Sequence, residues 1–415
     1  MTTTRPPILR SQGLAFARVL RRPVLRRVMP AMAVSAIGDG MSVVAVAWLA
    51  VVIAPPSQSG VWTALAVAAY TLPATFGAAL LARLVRRLPG VALVTVDAAL
   101  RAVVLGTIAA LAIVGALTPV TYVLLLAGSS LLHAWGNAGA YTLVAEVVPD
   151  EDRVNGNALL STFAQASYVV GPALAGVLTA WAGPGWVLAV DAGSFAVLAV
   201  ACGSVSRNRA PAAAPSAPAV PAQRGPATGA RAILADRRLT GLLAVTCVFF
   251  FLYGPVEVAL PVHIAREVHG SAALLGAFWA TFGIGAILGG LGAGLLRNRP
   301  LWTVVAAIIV GWGAALLPLG LTDAVLPGLI GFAVGGLIYG PFTAIGTALF
   351  QRSSPPHLLS RVLATRSALT TPATALGTLL GGPAVAAVGG RVTLLASAVL
   401  TIVLGLGVAA VTRRS

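Results

Sequence analysis

Seven ionisable residues stand inside long apolar runs of this chain: Asp39, Asp97, Arg101, His133, Asp191, Glu257 and Arg366. A charged group in such surroundings is costly unless it lines water or meets a partner, so each is a candidate for proton or ligand chemistry. Asp39 lies in Ser35-Ala-Ile-Gly-Asp-Gly40, where Gly38 and Gly40 leave room for water or a close neighbour. A carboxyl withdrawn from bulk water there can bind and release a proton near neutral pH; the alternative is an Asp satisfied by a neighbouring helix. Glu257 lies in Tyr253-Gly-Pro-Val-Glu-Val-Ala-Leu-Pro261, whose prolines and glycine weaken a helix and free carbonyls that must face a cavity or another helix. Irregular helices beside a carboxylate are how ion and substrate sites are built in membranes. Asp97 and Arg101 are four residues apart, in the order that forms an ion pair on one helical face, which favours a structural or gating role. His133, in Leu131-Leu-His-Ala-Trp-Gly-Asn137, either relays protons or is simply hydrogen-bonded. Asp191 is expected near the outer end of its span, within reach of interfacial water, and Arg366 is expected to snorkel inward.

The elements that position these groups follow from composition. Charged residues make up 9% of the chain and hydrophobic residues 58%, with a mean hydropathy of +0.94. A water-soluble globule is about 25% charged, so this chain's solvent is lipid. A hydrocarbon core of about 30 Å needs about 20 helical residues. On that length the sequence divides into twelve spans, at roughly 30–54, 61–83, 91–115, 119–145, 157–182, 185–204, 239–262, 271–296, 301–321, 325–350, 361–386 and 390–411. The fold class expected is an all-α membrane protein of two pseudo-symmetric six-helix bundles. A basic segment, 1–29, precedes the N-terminal bundle at 30–203. A linker at 204–238 leads to the C-terminal bundle at 239–411 and a tail at 412–415. The linker holds five prolines, six arginines and one acid, Asp236, with no periodic apolar face. The two halves echo each other at an offset of 206 residues, which lays Gly171–Gly176 on Gly377–Gly382 and Pro149 on Pro355.

The net charge of +16 comes from arginine alone, the chain having no lysine. Binding to nucleic acid needs a folded basic face with polar or aromatic readers, whereas these arginines sit between apolar spans. Every even-numbered connection is basic and the odd ones hold only Arg266 and Arg391, which places both termini and the linker in the cytoplasm. The first segment, with seven arginines among spaced apolar residues, reads as a positive anchor or a surface-lying helix rather than a signal peptide. Cys202 and Cys247 belong to no disulfide framework or metal motif. Glycines at four-residue spacing, Gly285/Gly289, Gly290/Gly294, Gly331/Gly335, Gly336/Gly340 and Gly377/Gly381, read as helix-packing seams.

Twelve spans in two repeated halves around a cytoplasmic linker resemble the major facilitator superfamily over about 30–411. Gly171-Pro172-Ala-Leu-Ala-Gly176 looks like the Gly-Pro element of its drug/proton antiporters, with Ser167 where an upstream glycine is usual. Residues 78–87 resemble the family's loop motif, retaining Arg83, Arg86 and Arg87 but carrying Ala82 for the usual Asp and Val85 for the usual Gly. The resemblance implies a cytoplasmic gate of Arg83, Arg86 and Arg87, with Glu146 pairing Arg86 or Arg87. Residues 292–299 are a more worn copy. Ser35-x-x-Gly-Asp39 with Ala47-Trp48, Asp97-x-x-x-Arg101, Val148-Pro-Asp-x-x-Arg-x-Asn-x-Asn157 and Pro355-Pro-His-Leu-Leu-Ser-Arg361-Val are similar to the branch of macrolide-efflux and enterobactin-exporter proteins.

The function expected is secondary export of a small amphipathic organic compound across the plasma membrane by alternating access, driven by protons or another cation. Asp39, Glu257 and His133 are the candidate coupling residues; Gly171, Pro172 and Gly176 form the antiporter-type element. No cofactor, metal or nucleic-acid partner is expected, and the chain is expected to act as a monomer in the bilayer. A lysine-free chain cannot form a Gly-x-x-x-x-Gly-Lys phosphate loop, and neither His-Glu-x-x-His nor Gly-x-Ser-x-Gly occurs, which argues against an ATPase or a membrane hydrolase. A proton-coupled importer and a non-transporting receptor or scaffold are the alternatives.

Overall fold

A computed structural model describes residues 16, 18–81, 88–207, 231, 233–296, 299–354 and 358–414. Among them there is no strand; the chain is a succession of helices. In order these are α1 (Pro23–Ile53), α2 (Ser59–Leu80), α3 (Gly90–Ile113), α4 (Pro119–Ser130), α5 (His133–Val147), α6 (Asp150–Ala182), α7 (Pro184–Arg207), α8 (Arg237–Val262), α9 (Ala272–Gly292), α10 (Leu301–Leu321), α11 (Val325–Ser353) and α12 (Leu359–Arg414). Ten helices among the described residues are long and apolar enough to cross a membrane.

Three of the expected spans take other forms. The fourth is divided, α4 ending at Ser130 and α5 starting at His133. The expected eleventh and twelfth run on as α12, which leaves helical geometry at Gly389 (φ 84°, ψ 167°). That backbone region belongs to glycine almost alone. Glu267 fixes the restart, accepting from the backbone N–H groups of Gly390 (2.6 Å) and Arg391 (2.9 Å). Glu267 itself lies in a π-helical turn, His263–Glu267, that extends α8.

Helix starts differ from the hydropathy boundaries where a local signal favours helix outside the apolar run. α1 begins at Pro23, inside the expected basic segment, because proline suits a first helical turn and Leu25, Val28 and Met29 are buried. α6 begins at Asp150 rather than 157, with Asp150, Glu151 and Asp152 in its first turn, where acids offset the helix dipole. The described ends of the expected linker are helical too: α7 runs to Arg207, and Asp236 caps α8 by accepting from Arg238 N and Leu239 N. The rest of that linker, 208–230 and 232, lies outside the described residues.

Small residues set the packing. A Cβ on Gly285, Gly289, Gly336 or Gly340 would meet the facing backbone across the α9–α11 seam, and one on Gly377 would meet Phe251 backbone atoms of α8. Gly331 and Gly335 likewise press on Ala315 and Trp312 of α10. Gly290 shares the α9–α11 seam, its backbone N facing Gly340, but Gly294 does not: a Cβ on Gly294 has nothing within 4 Å. It falls in a 3-10 turn, Ala293–Leu296, after α9 has ended.

Helices α1–α7 form one half and α8–α12 the other. The described contacts between halves gather at one face, called distal here, which carries the end of α1, the start of α2, the end of α6 and the start of α9. There Gly60 abuts Gly382 and Val385, Gly176 abuts Ala273, Gly276 abuts the Pro172 carbonyl, and Arg266 donates to the Val51 carbonyl at 2.9 Å. The opposite face carries the starts of α1, α6 and α8.

Candidate functional site

The first half gathers four side chains from four elements into one polar cluster. Arg101, at mid-length on α3, donates through Nη2 to Asp39 Oδ1 (2.5 Å) and to Tyr70 Oη (2.5 Å). Tyr70 Oη in turn donates to Asp39 Oδ1 (2.5 Å). Through Nη1, Arg101 meets His133 Nδ1 at 2.6 Å. Arginine has no acceptor, so Nδ1 accepts and the imidazole carries its hydrogen on Nε2. The guanidinium also lies over the Phe195 ring, 4.2 Å from its centroid. Arg101 is thereby locked on several sides, while its partner Asp39 keeps a 33% exposed side chain against 3% for the arginine.

This arrangement replaces the expected ion pair between Asp97 and Arg101. Arg101 reaches across to α1 instead, and no ion pair joins it to Asp97 among the described residues. The buried Asp97 carboxylate packs against Gly136 of α5, and among the described residues neither its Oδ1 nor Arg101 Nε has a hydrogen-bond partner. The i,i+4 rule describes exposed helices, and a buried arginine takes the partner that tertiary packing offers. His133 sits at the first turn of α5, beside the break in the expected fourth span. At that break Trp135 Nε1 donates to the Gly77 carbonyl (3.1 Å) and Ser130 Oγ to the Ala69 carbonyl (3.0 Å), which ties both sides of the break to α2.

Asp191 is not at the interface. It is fully buried on α7, where Oδ2 accepts from Ser42 Oγ of α1 at 2.5 Å, and its carboxylate fills the space that Gly38 leaves. Arg366 donates to Thr347 Oγ1 of α11 (2.9 Å) and lies over the Phe350 ring at 5.2 Å.

In the second half Glu257 of α8 accepts from Thr378 Oγ1 of α12 at 3.2 Å. Beside it runs an aromatic wall: Tyr253 stacks on Tyr339 (centroids 6.3 Å), Tyr339 on Phe342 (6.0 Å), and Trp312 meets Phe282 edge-on at 5.4 Å. Rings spaced this way hold one another by offset and edge contacts. Tyr168 of α6, 59% exposed, stands within electrostatic reach of both Asp39 and Glu257. Tyr70, Ser42, Thr378 and this wall carried no signal in the sequence, since ordinary apolar-span residues become site residues only through partners on other helices.

The Gly-Pro element of α6 packs in two directions. A Cβ on Gly171 would meet the backbone of Gly40, next to Asp39, while the Pro172 carbonyl and Gly176 face Gly276 and Ala273 of the second half. Gly40 in turn presses on the Ser167 carbonyl, so the residue replacing the usual upstream glycine takes part in the same contact. Arg83, Arg86 and Arg87 lie outside the described residues, and with them the expected gate. Glu146 accepts from Gly90 N at 3.1 Å, where it holds the start of α3. Near it Asp152 pairs with Arg18 at 3.4 Å, and Arg153 pairs with Asp150 and donates to the Ala145 carbonyl at 2.9 Å.

Each helical half thus holds polar groups in its interior. The chain matches the Major Facilitator Superfamily over residues 28–329 and belongs to that family, and its described helices make it a multi-pass membrane protein. It is 29% identical over 259 residues to the MFS-type transporter y4rN of Sinorhizobium fredii, covering 61% of this chain and 62% of that one. It is 28% identical over 253 residues to the multidrug efflux pump Tap of Mycolicibacterium fortuitum, covering 60% and 61%. The matched stretch thus spans about three fifths of the relatives' length. Among solved structures, the nucleoside transporter NupG superposes with a TM-score of 0.70 at 15% identity, covering 94% of this chain and 98% of that one. A bacterial homologue of the iron transporter ferroportin, in an inward-facing state, superposes with a TM-score of 0.69 at 15% identity, covering 93% and 98%.

Proposed function

We propose that this protein is a proton-driven exporter of small amphipathic organic compounds in the plasma membrane, working by alternating access between two six-span halves with both termini in the cytoplasm. The observation that carries the reading is one carboxylate from each half, Asp39 and Glu257, within electrostatic reach of a single phenol, Tyr168. A site built from both halves changes its exposure when they rock, which is what coupling requires. In this arrangement Asp39 exchanges its proton with the cavity, and protonation releases Arg101 from its ion pair. Glu257, with the Thr378 hydroxyl shared between it and the Thr374 carbonyl and aromatic rings alongside, receives the compound or a second proton. With the basic connections inside, the closed distal face is the outer one, and the state described faces the cytoplasm. Similarity to the multidrug efflux pump Tap favours export over uptake.

The test uses inside-out vesicles energised to an acid interior, with lumenal pH followed while a panel of amphipathic compounds is added outside. The expected result is compound-triggered alkalinisation that is lost in Asp39→Asn and in Glu257→Gln. A response that survives both substitutions refutes the site, and silence across the panel counts against proton-driven export.

A further inference from the structure

Three carboxylates surround one arginine in the first half, and only one of them touches it. Asp39 takes the Arg101 guanidinium; Asp97 and Asp191 form no ion pair among the described residues. Were all three ionised, the cluster would hold two negative charges in excess of its one positive charge, since His133 accepts from Arg101 and is neutral. Buried charge of that size is strongly unfavourable without partners.

Asp191 is the best enclosed of the three, with no exposed surface, against 6% for Asp97. Its hydrogen bonds come from two serines. Ser42 Oγ lies 2.5 Å from Oδ2. Ser194 Oγ has a single hydrogen, which the Asp191 backbone carbonyl takes at 2.7 Å, leaving Oδ1 the longer contact at 3.3 Å. One firm donor therefore serves a group that, ionised, offers about four acceptor sites. A neutral carboxylic acid fits this pocket better, because Ser42 accepts from it as readily as it donates. The neighbours on every packed element agree. α1 brings Asp39 and Ser42, α3 brings Arg101 and Asp97, and Tyr70 of α2 is within electrostatic reach. α6 offers Ser167 and Gly171 at the level of Gly40, its three acids being confined to its first turn.

We propose that the Asp191 carboxyl is a second proton-binding site of this transporter, occupied while Asp39 holds Arg101 and emptied when Asp39 is protonated and lets the arginine go. The proposal rests on the proton-driven reading above. Charge balances through the exchange: Asp39 takes a proton from cavity water, Asp191 gives one up to water, and the freed guanidinium compensates the new carboxylate. Asp191 and Asp39 thus fill alternately, which makes the buried arginine the carrier of the exchange rather than a fixed counter-ion. Ser42, three residues after Asp39 on α1, joins Asp191 to the helix that bears the first site.

The test is pH-dependent infrared difference spectroscopy of the full-length protein in lipid bilayers, reading the carbonyl stretch of protonated carboxyl groups. At pH about 7, near the operating range of general acid–base groups, the wild type should show a band that disappears in Asp191→Asn. The same band should shift in frequency in Ser42→Ala, a milder change that guards against misfolding of the first variant. In Asp39→Asn, which removes the carboxylate that holds Arg101, the band should titrate away at a pH lower by about one unit, a tenfold change in proton affinity. A spectrum unchanged in both Asp191→Asn and Ser42→Ala overturns the site. A band that ignores Asp39→Asn overturns the exchange. Because the readout needs no substrate, a band that behaves as expected alongside silent vesicles leaves Asp191 a proton site and removes only the export reading.

Discussion

The distal seam makes a quantitative prediction about the two-state equilibrium. Gly382 of α12 sits against α2 so closely that a Cβ placed there would lie 2.8 Å from Ala64 Cβ, 3.1 Å from Val61 Cα and 3.1 Å from the Gly60 carbonyl. Two of these are rigid backbone atoms, so Gly382→Ala cannot be absorbed by turning a side chain. Overpacking of this kind costs about 1–3 kcal/mol where packing is tight. The cost falls only on the state in which the distal face is closed, because rocking the halves apart removes the contact. The closed-to-open ratio should therefore fall by about 5- to 150-fold. Gly313→Ala is the control: its Cβ would meet the Ala398 carbonyl (2.7 Å) within the second half, a contact that both states keep. The assay is the distance distribution between spin labels on Ser57→Cys and Ala324→Cys, exposed at the distal face, in a background with Cys202 and Cys247 replaced by Ala. Gly382→Ala should enrich the long-distance population and Gly313→Ala should not. An unchanged distribution in Gly382→Ala, or an equal shift in both variants, refutes the idea that this seam closes one state only.

Two further outcomes follow from the geometry. Arg101→Lys keeps the charge but not the fork that reaches Asp39, Tyr70 and His133 together; vesicle alkalinisation should fall at least about tenfold, and a wild-type rate in this variant counts against the cluster as the coupling site. Gly389→Ala forces a side chain into a φ of 84° and against Glu267 Oε1 at 2.9 Å; it should destabilise the protein by about 1–3 kcal/mol, read as a lower midpoint of thermal unfolding in detergent, and an unchanged midpoint contradicts the strained turn.

What could be read from the sequence was whatever depends on local composition. The lack of charge makes lipid the solvent, and long apolar runs mark helices able to cross it, ten of them among the described residues. Asp39 and Glu257 stood out for the same reason: a carboxylate among apolar residues is conspicuous without knowledge of its partner. Partnership itself was hidden. Asp97 is four residues from Arg101 and the natural choice along the helix, yet Arg101 bonds to Asp39, 62 positions away, because α1 brings a carboxylate to the face that the guanidinium reaches. Asp191 read as an interfacial residue by its place near a helix end, and packing against Gly38 and Ser42 buries it completely. Glycine spacing marked seams within a half, as at Gly285 and Gly336, and missed the close approaches between halves at Gly60 and Gly276. Membership of an apolar run is a property of a residue and its own stretch of chain; full burial, charge pairing and close backbone approach are properties of two stretches at once, and only the tertiary structure brings those together.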